Sequence, residues 1–86
     1  MRAIFHRPFK KQWQKLKTAE QERFLQRLGI YLKNPHSPLL HDHLLTGKWK
    51  NYRSINVGGD LRAIYKVIEK GLIQFVAIGT HDQLYK

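Results

Sequence analysis

The chain of 86 residues has no cysteine, only six acidic residues, and no apolar run near the roughly 20 residues that a membrane-spanning helix requires. Without cysteine, disulfides and thiolate metal sites are excluded. The first residues, "MRAIFHRPF", also lack the apolar core of a signal peptide. These absences lead us to expect a soluble, cytoplasmic protein, because a reducing cytosol suits a chain without disulfides.

Positive charge is the strongest feature of the composition. Sixteen Lys and Arg against six Asp and Glu give a formal net charge of +10, more than the solubility of a small domain needs. Such an excess predicts a polyanionic partner: nucleic acid, an acidic membrane surface or an acidic protein. Because 42% of the residues are hydrophobic, we expect one folded domain over residues 1–86.

The first half of the chain predicts one strand and two helices. Residues 1–5 form a short apolar strand, and 6–16 and 17–34 carry apolar residues at helical spacing. Thr18 is the expected N-cap of the second helix, with Gln21 completing a capping box. The apolar stripe of that helix is expected to comprise Phe24, Leu25, Leu28, Tyr31 and Leu32.

The second half changes to the pattern of a sheet. After a loop at 34–48, three β-rich segments at 49–57, 61–68 and 72–78 are separated by the turns "GGD" and "EKG". The order is β-α-α-β-β-β. We therefore expect a two-layer α+β fold in which an N-terminal strand and a helical hairpin accompany an antiparallel meander. The other face of the sheet is expected to stay open to solvent or a partner.

Most catalytic motifs are missing. There is no phosphate-binding glycine loop, no nucleophile elbow, and the six scattered acids argue against a paired-carboxylate hydrolase. What remains is histidine together with arginine and lysine, which suits RNA cleavage without a metal ion. The 2′-hydroxyl of RNA is then the nucleophile, and the protein supplies a base, an acid and a cation for the phosphorane.

Five residues are the candidates for this chemistry. His43 and His81 lie on predicted loops beside strand ends. Asp60 and Arg62 are two apart at a strand start, so we expect them on one face, with Arg62 gripping a phosphate and Asp60 orienting a histidine. Tyr85 offers a ring for stacking an unpaired base. The expected RNA-anchoring cations are Lys48, Lys50 and Arg53.

Simpler interpretations of the same residues remain open. Either histidine can be a solvated surface residue, Asp60 suits a turn after two glycines, and Tyr85 can pin the tail to the core. A metal site built on His43, His81 and neighbouring His41 and Asp82 has only nonspecific spacing, so we expect no metal and no cofactor.

Two longer stretches carry a family resemblance. "HLLTGKWKNYRSINVGGDLRAIYKV" followed by "IGTHDQLY" resembles the RelE/ParE toxin superfamily, and most of all its YafQ-like branch of mRNA interferases. The shared features are a stretch from His43 to Arg53 that reads His-x-Leu-x-Gly-x-Trp-x-x-Tyr-Arg, a turn with an acid, an Ile-Tyr strand and a Gly-Thr-His ending followed by an aromatic residue. The likeness covers about the last half of the chain.

The resemblance implies roles for individual residues. His43, Asp60 and His81 match positions that YafQ-like enzymes use for acid–base work, and Tyr85 stands where the family usually has Phe. Arg62 matches a phosphate-contacting strand arginine of the RelE branch. The chain departs from the family pattern at Asn56 (for His), Leu61 (for Trp) and Ala77 (for Arg).

The resemblance also implies a function. We expect the toxin of a type II toxin–antitoxin system: a ribosome-dependent endoribonuclease that cleaves mRNA by transphosphorylation, monomeric when free and neutralised by a cognate acidic antitoxin. His81 is the expected general acid, and His43 the base or its helper. Two alternatives stay open, a ParE-like inhibitor of DNA gyrase that cuts nothing and an inactive RNA-binding relative.

Overall fold

The structure is a computed structural model and describes residues 1–85. Its helices and strands include all of the predicted ones, with bounds that differ by a few residues. The strands are β1 (Arg2–Phe5), β2 (His43–Leu44), β3 (Arg53–Gly58), β4 (Leu61–Glu69) and β5 (Leu72–Thr80). The α-helices are α1 (Arg7–Gln14), α2 (Thr18–Lys33) and α3 (His81–Tyr85), and two 3-10 helices span Pro38–Leu40 and Gly47–Trp49.

The strands form one sheet in the order β1-β5-β4-β3-β2. β1 runs parallel to β5, and every other neighbouring pair is antiparallel. The predicted α+β architecture, with a helical hairpin on a meander, is confirmed. β2 was not foreseen, since its residues fall within the predicted loop.

Helices α1 and α2 cover one face of the sheet, which we call the helix face. Aromatic rings fill the space between them: Phe9 lies 5.3 Å from Phe24 and 5.8 Å from Phe75, measured between ring centroids. Phe24 and Phe75 are almost fully buried. Large rings bury much apolar area per residue, which a chain of this length needs to stabilise a small core.

The opposite face of the sheet, which we call the site face, carries a second and smaller apolar cluster. Ile64 and Ala77 are buried there beneath Leu45 and Leu84, with Trp49 and Tyr52 packed alongside. Leu84 belongs to α3, and Trp49 belongs to the 3-10 helix. The face that was expected to stay open to solvent or a partner is therefore covered in part, by these two short helices.

The start of α2 differs from the prediction by one residue. Lys17, not Thr18, is the N-cap, and its backbone N–H donates to Glu20 Oε1 at 2.9 Å. The side chain of Gln21 instead donates to the Trp13 carbonyl at the end of α1, at 2.9 Å. Leu25 and Leu32 of the predicted stripe are exposed. Within residues 1–85, no helix has the length and apolar character needed to cross a membrane.

Candidate active site

The strand register gathers polar side chains on the site face. Residues paired across neighbouring strands share a face, and successive residues alternate between faces. One cross-strand row consists of Asn56, Arg62 and Gly79. The next row on the same face consists of His43, Ser54, Ile64 and Ala77. Because Ile64 and Ala77 belong to the apolar cluster opposite the helices, both rows lie on the site face.

His43 has a defined tautomer on this face. It is exposed at the start of β2, and its Nδ1 lies 2.9 Å from the His41 carbonyl oxygen. A carbonyl only accepts, so Nδ1 must carry the proton of the neutral ring. Nε2 of the neutral ring is then the acceptor that remains.

Arg62 lies between the two candidate histidines. It pairs with Asn56 on β3 and Gly79 on β5, two strand spacings, or about 10 Å, from β2. Its Nη1 donates to the carbonyls of Gly59 and Leu61 at 3.2 and 3.3 Å. These bonds use one nitrogen, so the rest of the guanidinium fork remains to bind a phosphate.

Asp60 and His81 leave the same end of the sheet. Leu61 pairs with Thr80, and Asp60 and His81 each lie one residue beyond that pair. Asp60 is exposed in the turn before β4, so the prediction that it shares a strand face with Arg62 does not hold. Among residues 1–85 it forms neither an ion pair nor a hydrogen bond with a histidine.

The short helix α3 fixes the position of His81 and Tyr85. Trp49 Nε1 donates to the Leu84 carbonyl at 2.8 Å, and the Thr80 backbone N–H donates to Gln83 Oε1 at 2.8 Å. His81 and Tyr85 lie one helical turn apart, with ring centroids separated by 4.7 Å. The His81 ring is therefore held against an aromatic surface while remaining largely exposed.

The lysines near the site face are only partly those expected. Lys48 lies with its Nζ 5.7 Å from the Trp49 ring centroid, and Lys50 is exposed just after the 3-10 helix. Lys66 was missed by the sequence reasoning. It follows Arg62 and Ile64 at strand spacing on the same face, which is the signal that would have identified it.

Arg53 is not part of this site. It lies in the row of the helix face that contains Tyr65, and its Nε binds Asp42 Oδ1 at 3.1 Å. Although its partial burial opposes the effect, the carboxylate of Asp42 raises the pKa of Arg53 above its usual value. The guanidinium therefore serves the fold, and the interpretation of Arg53 as an RNA anchor finds no support in its position.

Two further observations limit the chemistry of the site. In the described part of the chain, no three His, Asp or Glu side chains gather closely enough to hold a metal ion. Ser54, opposite His43, is fully buried, and its hydroxyl has no hydrogen-bond partner in residues 1–85. The candidate groups are thus two exposed histidines, one on β2 and one just after β5, with Arg62 on β4 between those strands and Tyr85 beside His81.

Similar proteins show which class this fold and site belong to. Chains in two solved structures from Escherichia coli match nearly the whole length of this chain. A YafQ mutant has 27% identity and a TM-score of 0.76, and the match covers 99% of this chain and 98% of that one. YafQ in the DinJ–YafQ complex has 28% identity and a TM-score of 0.72, and the match covers 99% of this chain and 98% of that one. A curated relative, the mRNA interferase toxin YafQ of E. coli strain K12, is 38% identical over 63 residues, 73% of this chain and 67% of the relative. The class is that of the small bacterial toxins.

The family follows from a match over residues 1–86 to the family described as bacterial toxin of type II toxin-antitoxin system, YafQ. The chain belongs to the YafQ family. The resemblance that the sequence motifs carried is therefore confirmed, and it extends over the N-terminal half as well.

Proposed function

We propose that this protein is a ribosome-dependent endoribonuclease toxin that acts in the cytoplasm and is neutralised by a cognate antitoxin. The observation that carries the proposal is the position of Arg62 on β4, which lies in the sheet between β2 with His43 and β5, the strand that His81 follows. The named relatives support the activity, since the curated one is an mRNA interferase toxin. The DinJ–YafQ complex supports the partner, because there a YafQ toxin is bound to its antitoxin.

The reaction is a transphosphorylation within the RNA. The Nε2 of His43 takes the proton of a 2′-hydroxyl, whose oxygen attacks the adjacent phosphorus. Arg62 stabilises the additional negative charge of the phosphorane. The bond to the 5′-oxygen then breaks while protonated His81 gives its proton to that oxygen, which leaves a 2′,3′-cyclic phosphate and a 5′-hydroxyl. Tyr85, beside His81, stacks on an unpaired base. Asp60 lies at the same end of the sheet as His81.

Primer extension on mRNA translated in vitro tests the proposal. We expect His43→Gln and His81→Gln each to reduce cleavage by about 10²–10⁴-fold, the usual contribution of one proton-transfer group. His36→Gln is the matched control, because His36 lies on the exposed loop after α2, near Arg53 of the helix face. Cleavage at the wild-type rate by His81→Gln would remove this mechanism, and intact mRNA with blocked DNA supercoiling would favour a gyrase inhibitor.

A further inference from the structure

A cavity of about 380 Å³ adjoins the site face between α1, the 3-10 helix Gly47–Trp49 and α3. Ala77 lies in its wall, and it belongs to the cross-strand row of the site face that ends at His43 on β2. Its walls also carry Lys48, Lys66, Gln12 and Gln83, and none of the residues that line it is acidic. We propose that this cavity, called here the Lys66 cavity, binds a backbone phosphate of the RNA within three positions of the cleaved one.

Two glutamines of the cavity wall have oriented side-chain amides. Gln12 Oε1 accepts the backbone N–H of Ile78 at 2.9 Å, and Gln83 Oε1 accepts that of Thr80 at 2.8 Å. A backbone N–H can only donate, so these bonds fix the orientation of both side-chain amides. The Nε2 groups are therefore left as donors. Because β5 holds both amides in place, they need little reorganisation to bind an anion.

Two lysines supply the charge. Lys66 Nζ lies 5.6 Å from the Tyr52 ring centroid, and Lys48 holds the corresponding position over Trp49. Neither lysine takes part in an ion pair with another residue of the 1–85 range. The rings attract the ammonium groups without neutralising them. The cavity thus combines two unneutralised cations with two oriented amide donors, which suits a phosphate with its several acceptor oxygens.

The position of the Lys66 cavity relative to Arg62 favours RNA over other phosphate compounds. Lys66 follows Arg62 by four residues on one face of β4, a separation of about 13 Å at strand spacing. A strand of RNA whose cleaved phosphate lies at Arg62 extends along this face, so a neighbouring phosphate can reach the cavity. The inference rests on the proposed function, since it assumes that cleavage occurs beside Arg62.

A chemical double-mutant cycle tests the contact. Ribosomes are programmed with synthetic mRNAs, each carrying one neutral methylphosphonate linkage within three positions of the cleaved bond. For the wild type we expect a loss of about tenfold to a hundredfold in cleavage rate at one of these positions, the usual size for a charge-assisted hydrogen bond. Lys66→Met keeps the apolar stem over Tyr52 but removes the ammonium. On unmodified mRNA its cleavage rate should fall by the same factor. The methylphosphonate at the sensitive position should then cause no further loss of rate in this variant.

Lys70→Met is the matched control, because Lys70 is an exposed residue in the turn between β4 and β5 and carries the same charge. It should lose rate at the same linkage as the wild type. If every methylphosphonate linkage lowers the cleavage rate of Lys66→Met by the same factor as that of the wild type, the two changes act independently and the proposed contact is wrong. If Lys66→Met weakens only antitoxin binding, the cavity serves the protein partner and the inference also fails.

A second measurement does not depend on cleavage. The side-chain amide NMR signals of Gln12 and Gln83 should shift when a 2′-O-methyl oligoribonucleotide is added, and should shift less in Lys66→Met. Unmoved signals would overturn the inference, and so would equal shifts with inorganic phosphate, which would identify a site for free phosphate. If the wild type cleaves nothing while the amides respond to the oligonucleotide, the proposed function fails but the RNA site stands.

Discussion

Asp42 joins the loop before β2 to the hydrophobic core through two side chains. Its Oδ1 accepts from Arg53, and its Oδ2 accepts from the Tyr65 hydroxyl at 2.5 Å. The Tyr65 ring is buried on the helix face, with its centroid 5.2 Å from that of Tyr31. Burial, followed by the hydrogen bond to Asp42, raises the pKa of Tyr65 well above its usual value of 10.0. The hydroxyl therefore stays protonated in the folded protein.

This raised pKa makes stability depend on alkaline pH in a defined direction. As the pH rises, the folded state keeps the Tyr65 proton after the unfolded state has lost it. The contribution of Tyr65 to the unfolding free energy is therefore complete below pH 10 and declines above it. The wild type should lose up to about 1.4 kcal/mol of unfolding free energy per pH unit above pH 10, relative to Tyr65→Phe. Urea denaturation at several values between pH 8 and 11 measures the difference. Parallel curves for the two proteins would contradict the linkage.

The same network explains why one predicted site residue was misplaced. Arg53 was interpreted as part of a basic strand that begins at residue 49, but β3 begins at Arg53 and directs that side chain to the helix face. Its partner Asp42 is distant along the chain, so local pattern cannot reveal the ion pair. His43, Arg62 and His81 could be proposed from the sequence because their chemistry and the family motif mark them without knowledge of their surroundings, and their roles stay a prediction.

Short elements carry the parts of the site that periodicity could not predict. β2 has two residues and α3 has five, which is too few for the strand or helix periodicity of apolar residues to be recognised. Both depend on tertiary contacts: β2 on its pairing with β3, and α3 on the bond from Trp49 to the Leu84 carbonyl. The longer α2 and the meander strands were predicted because each carries its own apolar pattern.

Helix α2 can be stabilised at its only internal glycine. Gly29 is exposed, and a Cβ added there meets no atom within 4 Å. Gly29→Ala should therefore raise the unfolding free energy by about 0.5–1 kcal/mol, because Gly loses more backbone entropy on entering a helix. Thermal and urea unfolding measure the change.

Gly71 is the matched control for that substitution. Its Cβ position is equally free of neighbours, but its φ is +83°, in the region that disfavours residues with a side chain. Gly71→Ala should lower the unfolding free energy by about 1–2 kcal/mol. Equal effects of the two substitutions would show that backbone conformation does not decide the outcome.

The whole molecule carries far more positive charge than its own acids neutralise. Of the 16 Lys and Arg residues, one forms an ion pair with a carboxylate within residues 1–85, that of Arg53 with Asp42. Mutual repulsion among the remaining cations opposes folding, and the same cations attract RNA and an acidic antitoxin. Stability and binding should therefore respond to salt in opposite directions.

Raising the salt concentration from 0.05 to 0.5 M should stabilise the free protein, because the screening length falls from above about 10 Å to a few ångströms. Over the same range the affinity for a 2′-O-methyl oligoribonucleotide should fall. Four phosphate contacts, by Lys48, Lys50, Arg62 and Lys66, predict a slope of log affinity against log salt of about −3. In the double variant Lys48→Met, Lys66→Met the slope should become shallower by about 1.4, since two contacts are lost. Fluorescence titration measures the slope and urea unfolding the stability. A double variant with the wild-type slope would show that the charges act only through the general field of the protein.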